Sequence, residues 1–455
     1  MTAAPITPAR AAGARGAGAE PLLPVLGAGI DVPLLDGTRV PYAGLDYAAT
    51  APALTAVAER VNAVLPYAGS VHRGAGLPSR AASALYEQTR DRVALHLGAR
   101  TGDHVVFTRN TTDATNLLAA CVPPGAGDVV TLDVEHHANL LPWRRVAAGT
   151  RVVAHAPTVA ETLTRLEAAL AERPAALLAV TGATNVTGEL LPLAQVAALA
   201  RRHGARTFVD AAQLVPHRAV DLAALDVDFL AFSGHKAYAP YGAGVLAGRA
   251  DWLDAAAPYL AGGGAVREVT VHDVDWHTGP RRHEAGTPNL AGAVAIAAAL
   301  DVLAGLVDED GADAREPHER ALRERLVAGL GALDGVRVLS IWADAPDAIG
   351  VVAFAVDGHP AGLVGTYLSN EHGLGVRAGR FCAHPLLARF GVPQGALRAS
   401  FGVGSRLADV DRLVAGVAAF LADGPRFAYA LDAEGWGPEH DTRDVTGWPG
   451  LDPLA

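Results

Sequence analysis

Short apolar runs alternate with longer segments of helical periodicity over the first two thirds of the chain. The apolar runs are rich in branched and aromatic residues and end in turn-forming residues, which is typical of buried strands. The segments between them carry apolar residues three and four positions apart and predict helices. This alternation predicts an α/β fold with a mostly parallel sheet. The predicted strands lie near Val105, Val130, Val152, Leu177, Thr207 and Phe229.

The pattern changes at about Arg315, where a long charged helix precedes short apolar runs from Val336 to Ile341 and from Gly350 to Val356. These elements predict a smaller α+β C-terminal domain. The pattern therefore predicts a disordered tail at 1–20, a segment at 21–45 that packs on the small domain, a large domain at 46–305, the small domain at 306–422 and an extension of unassigned role at 423–455.

Composition and charge narrow the class of protein. The chain has 455 residues, of which 50% are hydrophobic and 19% charged, so most of it is globular. The formal net charge of -11 argues against a nucleic-acid-binding surface. The apolar segment from Leu290 to Val307 is rich in alanine and contains Asp301, which favours a packed helix over a membrane span. We therefore expect neither a nucleic-acid nor a membrane partner.

Two features argue against metal sites and disulfides. Cys121 and Cys382 are the only cysteines, too few for a disulfide framework or a thiolate metal cluster. His136 and His137 are adjacent, so their side chains point apart on a helix or a strand and predict no shared metal ion. The first residues lack the apolar core of a secretory signal. These features favour a cytoplasmic protein without a metal.

One lysine follows a buried strand. The apolar run from Val227 to Phe232 ends in Ser-Gly-His, and Lys236 comes next, followed by small and aromatic residues. Such neighbours hinder solvation and lower the pKa of a lysine from about 10.4. A partly neutral amine is a nucleophile towards a carbonyl. The alternative is a lysine with a buried stem whose ammonium reaches water.

An acid ends the preceding strand. The run from Arg206 to Val209 stops at Asp210, so an acid and a lysine follow two successive strands. In open α/β sheets this edge is where ligands bind. A carboxylate that faces a ring nitrogen, near a lysine that bonds to an aldehyde, is the pair that a pyridoxal 5'-phosphate (PLP) site requires. The pair therefore predicts PLP as the cofactor.

The surrounding motifs resemble the class V aminotransferase family of PLP fold type I, and most of all its cysteine desulfurase and selenocysteine lyase branch. The resemblance runs from about Tyr42 to Leu421. It implies a large domain with a seven-stranded, mostly parallel sheet between helices, and a smaller C-terminal domain. The motifs that carry it are Asp210-x-x-Gln213 and Ser233-Gly-His235-Lys236.

The resemblance implies further cofactor contacts. Thr111 and Thr112 open a helix, where threonines commonly cap the helix, but where hydroxyls and free amides also bind phosphate, as they do in the family. His136 is implied to stack on the cofactor ring and to relay a proton, and Asn185 to lie near the phenolic oxygen. The other implied cofactor-binding residues are Gln213, Ser233, His235 and Thr287.

Other matches imply an amino-acid substrate and a homodimer with shared active sites. Arg398 matches the arginine that grips the substrate carboxylate, a task that suits the guanidinium fork. Ala49 lies in a Leu-Asp-x-Ala-Ala segment that closes one side of the pocket. Thr287 matches a threonine that reaches the cofactor phosphate of the neighbouring subunit. His72 and Arg73 match a loop that lies near the substrate across the subunit interface.

The segment Arg377-x-Gly-x-x-Cys382 resembles the cysteine loop of the desulfurases. Arg377 and Arg380 lie close by in sequence and favour a thiolate. A thiolate here would attack the sulfur of bound cysteine, leave a persulfide on Cys382 and release alanine. This chain departs from the family at Arg380 and Phe381, where many relatives carry two histidines. The alternative is that Cys382 is a small apolar residue in a lid.

Three functions are consistent with these residues. The first, which we favour, is a cysteine desulfurase or selenocysteine lyase-like enzyme in which Lys236, His136 and Cys382 are catalytic and a sulfur-acceptor protein is a possible partner. The second is an aminotransferase, epimerase or C–S lyase that acts on another amino acid without Cys382. The third is a regulatory protein that binds the cofactor without turnover.

Overall fold

The computed structural model of the chain describes residues 20–433 and 435–443. Most of the expected N-terminal tail, residues 1–19, lies outside the described residues. The N-terminal elements are a hairpin, a short strand and two helices. They are β1 (Asp31–Pro33), β2 (Arg39–Pro41), β3 (Ala43–Gly44), α1 (Thr55–Val64) and α2 (Leu77–His96).

A sheet of seven strands follows, consisting of β4 (His104–Thr108), β5 (Asp128–Leu132), β6 (Thr150–Val153), β7 (Ala175–Thr181), β8 (Arg206–Asp210), β9 (Phe229–Ser233) and β10 (Gly244–Gly248). The strand order is β4-β10-β9-β8-β7-β5-β6. Strands β9, β8, β7, β5 and β6 are parallel, and β10 runs antiparallel to both of its neighbours. The expected α/β fold with a mostly parallel seven-stranded sheet is confirmed.

Strand β10 is the one strand of this sheet that the apolar pattern does not predict. Its apolar run has only three residues and lies between Gly244 and Gly248. This pattern is typical of a turn. Tertiary packing explains the first glycine, because a Cβ at Gly244 would lie 2.6 Å from the Cα of Asn110. The glycine lets the strand pass close to the backbone before the next helix.

Helices and a hairpin surround the sheet: α3 (Thr111–Cys121), α4 (Val159–Glu172), α5 (Leu193–Arg202), α6 (Leu222–Leu225), α7 (Ala250–Ala255), β11 (Val266–Val269), β12 (Val274–Trp276) and α8 (Leu290–Ala304). Both faces of the sheet are buried, since the adjacent residues Val129 and Val130 belong to different core clusters. Helix α8 is buried along nearly its whole length, as its alanine-rich sequence predicts. Within the described ranges, no helix is long and apolar enough to cross a membrane.

A second unit contains a four-stranded antiparallel sheet in the order β13-β14-β17-β16. Its apolar side chains form a separate core between this sheet and the helices. The boundaries predicted at residues 305 and 422 stay predictions. The elements are α9 (Arg315–Gly331), β13 (Val336–Val338), β14 (Val351–Val356), α10 (Ala361–His372), β15 (Leu374–Gly375), β16 (Arg377–Gly379), α11 (His384–Arg389), β17 (Ala396–Ser400) and α12 (Leu407–Asp423).

The segments at the two ends of the described chain lie against this second unit. Strand β3 pairs in parallel with β15, and the Leu35 amide donates to the Asn370 carbonyl. The extension forms a hairpin of β18 (Tyr429–Leu431) and β19 (Trp436–Pro438). Arg426 and Tyr429 both bond to Glu371 on α10, whose side chain has no exposed area.

A buried network of charged side chains joins the loop after β8 of the large sheet to helix α9. His217 Nδ1 donates to Glu319 Oε1 at 2.6 Å, and the Arg218 guanidinium donates to Glu319 Oε2 at 3.1 Å. Arg218 also donates to Asp347 at 2.8 Å. Glu319 is 1% exposed, so the hydrogen bonds from His217 and Arg218 satisfy a carboxylate that water does not reach. The network fixes the second unit against the loop that follows β8.

We expect Glu319→Ala to lower the free energy of unfolding by about 3–5 kcal/mol, because it leaves the buried His217 and Arg218 without their shared acceptor. Asp411→Ala is the matched control, since the Asp411–Arg325 pair is exposed and is worth about 1 kcal/mol or less. Thermal and urea unfolding of both variants measure the difference. Equal loss of stability in the two variants would contradict the role of the network.

Candidate active site

A cavity of about 510 Å³ opens at the carboxyl ends of β7, β8 and β9, where parallel strands place the residues that follow them at one sheet edge. Residues from the second unit close its other side. The cavity brings together most of the residues that the sequence singled out. These are Ala49, Thr111, Thr112, His136, Asn185, Asp210, Gln213, Ser233, His235, Lys236, Arg377, Cys382 and Arg398.

Lys236 and Asp210 face each other across the two neighbouring strands β8 and β9. Burial lowers the pKa of Lys236 to about 8, and the Asp210 charge opposes this shift. Burial also raises the pKa of Asp210, against the effect of the Ala212 amide that donates to Oδ1 at 3.0 Å. No hydrogen bond of the Lys236 amine occurs within the described part of the chain. Lys236 is moreover the only lysine in the sequence.

The first turn of α3 forms another wall of the cavity. Asn110 caps this helix by accepting from the Asp113 amide, so neither threonine is the cap. Thr111 is committed to Ser233, whose Oγ lies 2.8 Å from the Thr111 amide and 2.7 Å from its hydroxyl. The Thr112 hydroxyl has no partner among the described side chains, so it and the helix N-terminus are available to an anion.

His136 carries no charge in this site. Its Nδ1 accepts from the Ala138 amide at 3.0 Å, so the ring proton resides on Nε2. Burial, with the Lys236 charge as the second cause, lowers the pKa of His136 to about 3. The neighbouring His137 packs instead against His384, with ring centroids 4.5 Å apart. Over the described residues, no group of three or more His, Cys, Asp or Glu side chains is placed to hold a metal ion.

Two hydrogen bonds fix the cavity wall that contains Ala49. Gln213 Nε2 donates to the Ala48 carbonyl at 2.8 Å, and Thr50 lies 3.2 Å from the His235 ring nitrogen. The loops after β8 and β9 therefore each hold the segment that precedes α1. Gln213 and His235 line the cavity and at the same time shape it.

Arg398 projects from β17 into the cavity and is 3% exposed. One terminal nitrogen donates to the Asn185 carbonyl at 2.8 Å and the other to Asp46 at 2.9 Å. Its Nε is buried and has no acceptor among the described residues. Burial lowers the pKa of Arg398, while Asp46 opposes the shift. Each terminal nitrogen carries a second N–H group that these two bonds do not use, so the guanidinium keeps donors for a ligand.

Cys382 lies at the mouth of the cavity in a strained loop. Phe381 and Cys382 both have left-handed backbones, with φ of 51° and 52°. This conformation costs about 1–2 kcal/mol for each non-glycine residue, so contacts must hold it. Asn185 Nδ2 donates to the Phe381 carbonyl at 2.8 Å, and the His137 amide donates to the Cys382 carbonyl at 2.9 Å.

Three of the predicted residues lie outside this cavity. His72 bonds to Glu87 at 2.8 Å, and Arg73 donates to the carbonyls of Gly263 and Gly286. Thr287 is exposed. His72 and Arg73 line a second cavity of about 210 Å³ on the same chain. The roles of these residues across a subunit interface stay predictions.

The sequence reasoning missed four residues of the site. Asn110 and His384 line the cavity, Asp46 holds Arg398, and Phe381 anchors the loop of Cys382. Asp46 lies within the segment that the Leu-Asp-x-Ala-Ala motif marks, so that motif was its signal. Phe381 lies in the Arg380-Phe381 pair that the sequence already set apart from the family pattern, but its contact with Arg398 gave no signal, because an aromatic residue in a loop is most often packing.

Comparison with known proteins gives consistent matches over most of the chain. The sequence model of the family "Aminotransferase class-V" matches residues 43–413. The chain is 38% identical to a cysteine desulfurase of Dickeya dadantii over 388 residues, which are 83% of this chain and 91% of the relative. It is 41% identical to a probable cysteine desulfurase of Pseudomonas aeruginosa over 378 residues, 81% of this chain and 91% of that protein.

Solved structures agree with these matches. The cysteine desulfurase CsdA (S-sulfonic acid) from Escherichia coli has a TM-score of 0.74 at 35% identity, covering 84% of this chain and 94% of that one. The apo cysteine desulfurase from Thermococcus onnurineus NA1 has a TM-score of 0.75 at 32% identity, covering 83% and 94%. The fold is therefore PLP fold type I, and this chain belongs to the class V aminotransferase family.

Proposed function

We propose that this protein is a PLP-dependent cysteine desulfurase that converts L-cysteine to L-alanine and leaves a persulfide on Cys382. Selenocysteine, which carries selenium in place of the sulfur, is the second substrate of the same chemistry. The observation that carries the proposal is the convergence of Lys236, Asp210, Arg398 and Cys382 on one cavity. The names of the relatives in Dickeya dadantii and Pseudomonas aeruginosa support it.

The residues of the cavity fit PLP. Asp210 is a buried carboxylate with a raised pKa and no cationic side chain bonded to it, so a protonated ring nitrogen would complete it. Lys236 supplies an amine with a lowered pKa. Thr112 and the amides at the start of α3 suit the phosphate. His136 and Asn185 line the space between these groups.

When bound, PLP supplies an aldehyde that accepts an amine and a protonated ring that withdraws electrons from the substrate Cα. Asp210 keeps a proton on the ring nitrogen. With PLP bound, the Lys236 amine would be placed to take the proton from the substrate Cα. A pKa of about 8 leaves about a tenth of this amine neutral near pH 7, which an ordinary lysine does not approach.

Arg398 orients the substrate. The N–H groups of its terminal nitrogens that are not already bonded remain for the substrate carboxylate, and Asp46 and the Asn185 carbonyl hold the guanidinium in place. His136 presents a neutral Nε2–H donor to the cavity and acts as a hydrogen-bond partner at ordinary pH. Because Nδ1 is bonded to the Ala138 amide, Nε2 is the nitrogen at which His136 would take part in the proposed proton relay.

Cys382 takes the sulfur. Its thiolate attacks the substrate sulfur, so an S–S bond forms and the Cβ–S bond breaks, with its electron pair staying on the carbon side, which a proton converts to alanine. The balance is L-cysteine plus the Cys382 thiol giving L-alanine plus the Cys382 persulfide. Arg377 and Arg380 line the cavity together with Cys382. The persulfide then passes to a sulfur-acceptor protein.

Two further features belong to the proposal. Both cysteines are free thiols, which suits a reducing cytoplasm. The protein acts as a homodimer in which Thr287 of one protomer reaches the cofactor phosphate of its partner. Exposed Thr287 and the exposed apolar side chains of the β11–β12 hairpin, Val269 and Val271, support an interface on this face.

We expect Cys382→Ala to lower the release of alanine and sulfide from L-cysteine by about a hundredfold or more, because no thiolate receives the sulfur. The change in cofactor absorbance on substrate binding persists in this variant. Cys121→Ala is the matched control, since Cys121 is buried in the core and burial raises its pKa to about 12. Unchanged turnover in Cys382→Ala would favour a class V activity that does not use this thiol.

The attachment of PLP to cofactor-free protein tests Lys236. The aldehyde reacts with the neutral amine, so the rate rises with pH up to about 8 and then levels off. An ordinary lysine would continue to gain rate up to a pH of about 10.4. Absorbance at a series of pH values gives the profile, and borohydride reduction followed by mass spectrometry locates the label at the single lysine. A rate that keeps rising past pH 9, in the range of an unperturbed amine, contradicts the role of burial.

Thr287→Ala tests the shared site. We expect this variant to bind PLP about tenfold more weakly, because a phosphate contact is a hydrogen bond to a charged group. Thr164→Ala, which changes an exposed threonine on α4, is the control. Cofactor dissociation measured by absorbance, with the mass measured by sedimentation, gives both quantities. A monomer, or equal affinity in the two variants, would sink the proposal of a shared site.

A further inference from the structure

Phe381 stands next to Cys382 and contacts the arginine of the cavity. The Arg398 guanidinium carbon lies 5.1 Å from the centre of the Phe381 ring, within the range of a cation–π contact. The Phe381 side chain is 8% exposed, and Arg398 is 3% exposed, so the contact is shielded from water. The ring therefore packs on the guanidinium that is proposed to hold the substrate carboxylate.

Three residues form a closed triangle of contacts. Arg398 donates to the Asn185 carbonyl, Asn185 Nδ2 donates to the Phe381 carbonyl, and the Phe381 ring packs on Arg398. Each residue contacts the other two. A shift of the guanidinium therefore changes the contact with the Phe381 ring directly and the bond to the Phe381 carbonyl through Asn185. Contiguous packed and hydrogen-bonded groups of this kind transmit displacements.

The triangle holds a strained backbone. Phe381 and Cys382 are both left-handed, a conformation that non-glycine residues keep only when their surroundings enforce it. On the Cys382 side the His137 amide holds the carbonyl. On the Phe381 side, Asn185 holds the carbonyl and Arg398 contacts the ring, which also packs in the hydrophobic core. A loss of the Phe381 contacts therefore frees one end of the strained pair.

The hydrogen bonds of Arg398 must rearrange when a carboxylate binds to it. Its two terminal nitrogens already donate to Asn185 and Asp46, and its Nε is buried without an acceptor. A carboxylate that binds the guanidinium competes for it with Asp46 and neutralises the charge that attracts the Phe381 ring. The substrate carboxylate would therefore bind to the same guanidinium that holds the Phe381 ring and the strained loop.

We propose that Phe381 is a positioning residue that couples carboxylate binding at Arg398 to release of the Cys382 loop. The inference rests on the proposed function, in which Arg398 holds the substrate carboxylate and Cys382 takes the sulfur. With the cavity free of substrate, the contacts of Phe381 hold the exposed Cys382 in its left-handed conformation at the mouth of the cavity. With the carboxylate bound, the ring is released and Cys382 is free to meet the substrate sulfur. The persulfide then forms only when a substrate is in place.

Alkylation of Cys382 in the PLP-loaded protein tests the coupling. L-Alanine serves as the probe, because it has the amine and the carboxylate but no sulfur to transfer. Ethylamine is the matched ligand without a carboxylate. Iodoacetamide labelling reports Cys382, since the second cysteine, Cys121, is 3% exposed, and mass spectrometry identifies the labelled peptide.

In the unmodified protein we expect L-alanine to raise the alkylation rate of Cys382 about tenfold and ethylamine to leave it unchanged. Phe381→Leu keeps the apolar volume without the aromatic face, so its rate is already high and does not respond to L-alanine. Phe381→Tyr keeps the face and the response. Phe381→Gly removes the ring and relieves the backbone strain, whereas Phe381→Ala removes the ring alone, and both lose the response if the ring carries the coupling.

Equal rates with and without L-alanine in the unmodified protein, or a slower rate with it, would overturn the proposal. A response in Phe381→Leu equal to that of the unmodified protein would do the same. Cofactor absorbance and melting temperature confirm that each variant is folded and loaded. The labelling needs no turnover, so its result is separate from that of the Cys382→Ala assay, which tests the proposed function itself.

Discussion

Desolvation of one lysine beside one carboxylate is the interaction on which the site depends. Parallel strands β8 and β9 pair with Asp210 opposite Ala231, which brings the residues after the two strands to one edge. Burial there lowers the pKa of Lys236 to about 8 and raises the pKa of Asp210. The shift of Lys236 moves its amine towards the neutral form that reacts with an aldehyde, and the shift of Asp210 reflects a buried carboxylate for which a protonated ring nitrogen would be a partner.

The other half of the site belongs to the second unit. Arg398 lies on β17 and Cys382 follows β16, so both depend on how that unit packs against the large sheet. The buried contacts of Glu319 with His217 and Arg218 fix this packing some distance from the chemistry. Stability of the interface and geometry of the site are thus linked, because a shift of the second unit moves the guanidinium and the thiol together.

The loop of Phe381 and Cys382 contains both the strained backbone and the proposed sulfur acceptor. Phe381, the aromatic residue beside Cys382, is the residue that packs on Arg398. A histidine could also present a ring to the guanidinium, but it would add a titratable group to a cavity mouth that already contains Arg377 and Arg380. Phenylalanine keeps the ring contact without a proton to exchange.

The sequence by itself determined the α/β alternation, the six strands with long branched or aromatic runs, the buried helix α8 and the pairing of Lys236 with Asp210, because these follow from local periodicity and from which residue ends each strand. It also pointed to Thr112, Arg398 and Cys382 through motifs. Only the tertiary structure decided that β10 joins the sheet, that Asn110 caps α3, and that Asp46, Asn185 and Phe381 surround Arg398. These contacts join residues far apart in the chain, and short spacing patterns carry no record of which distant groups meet when both units fold.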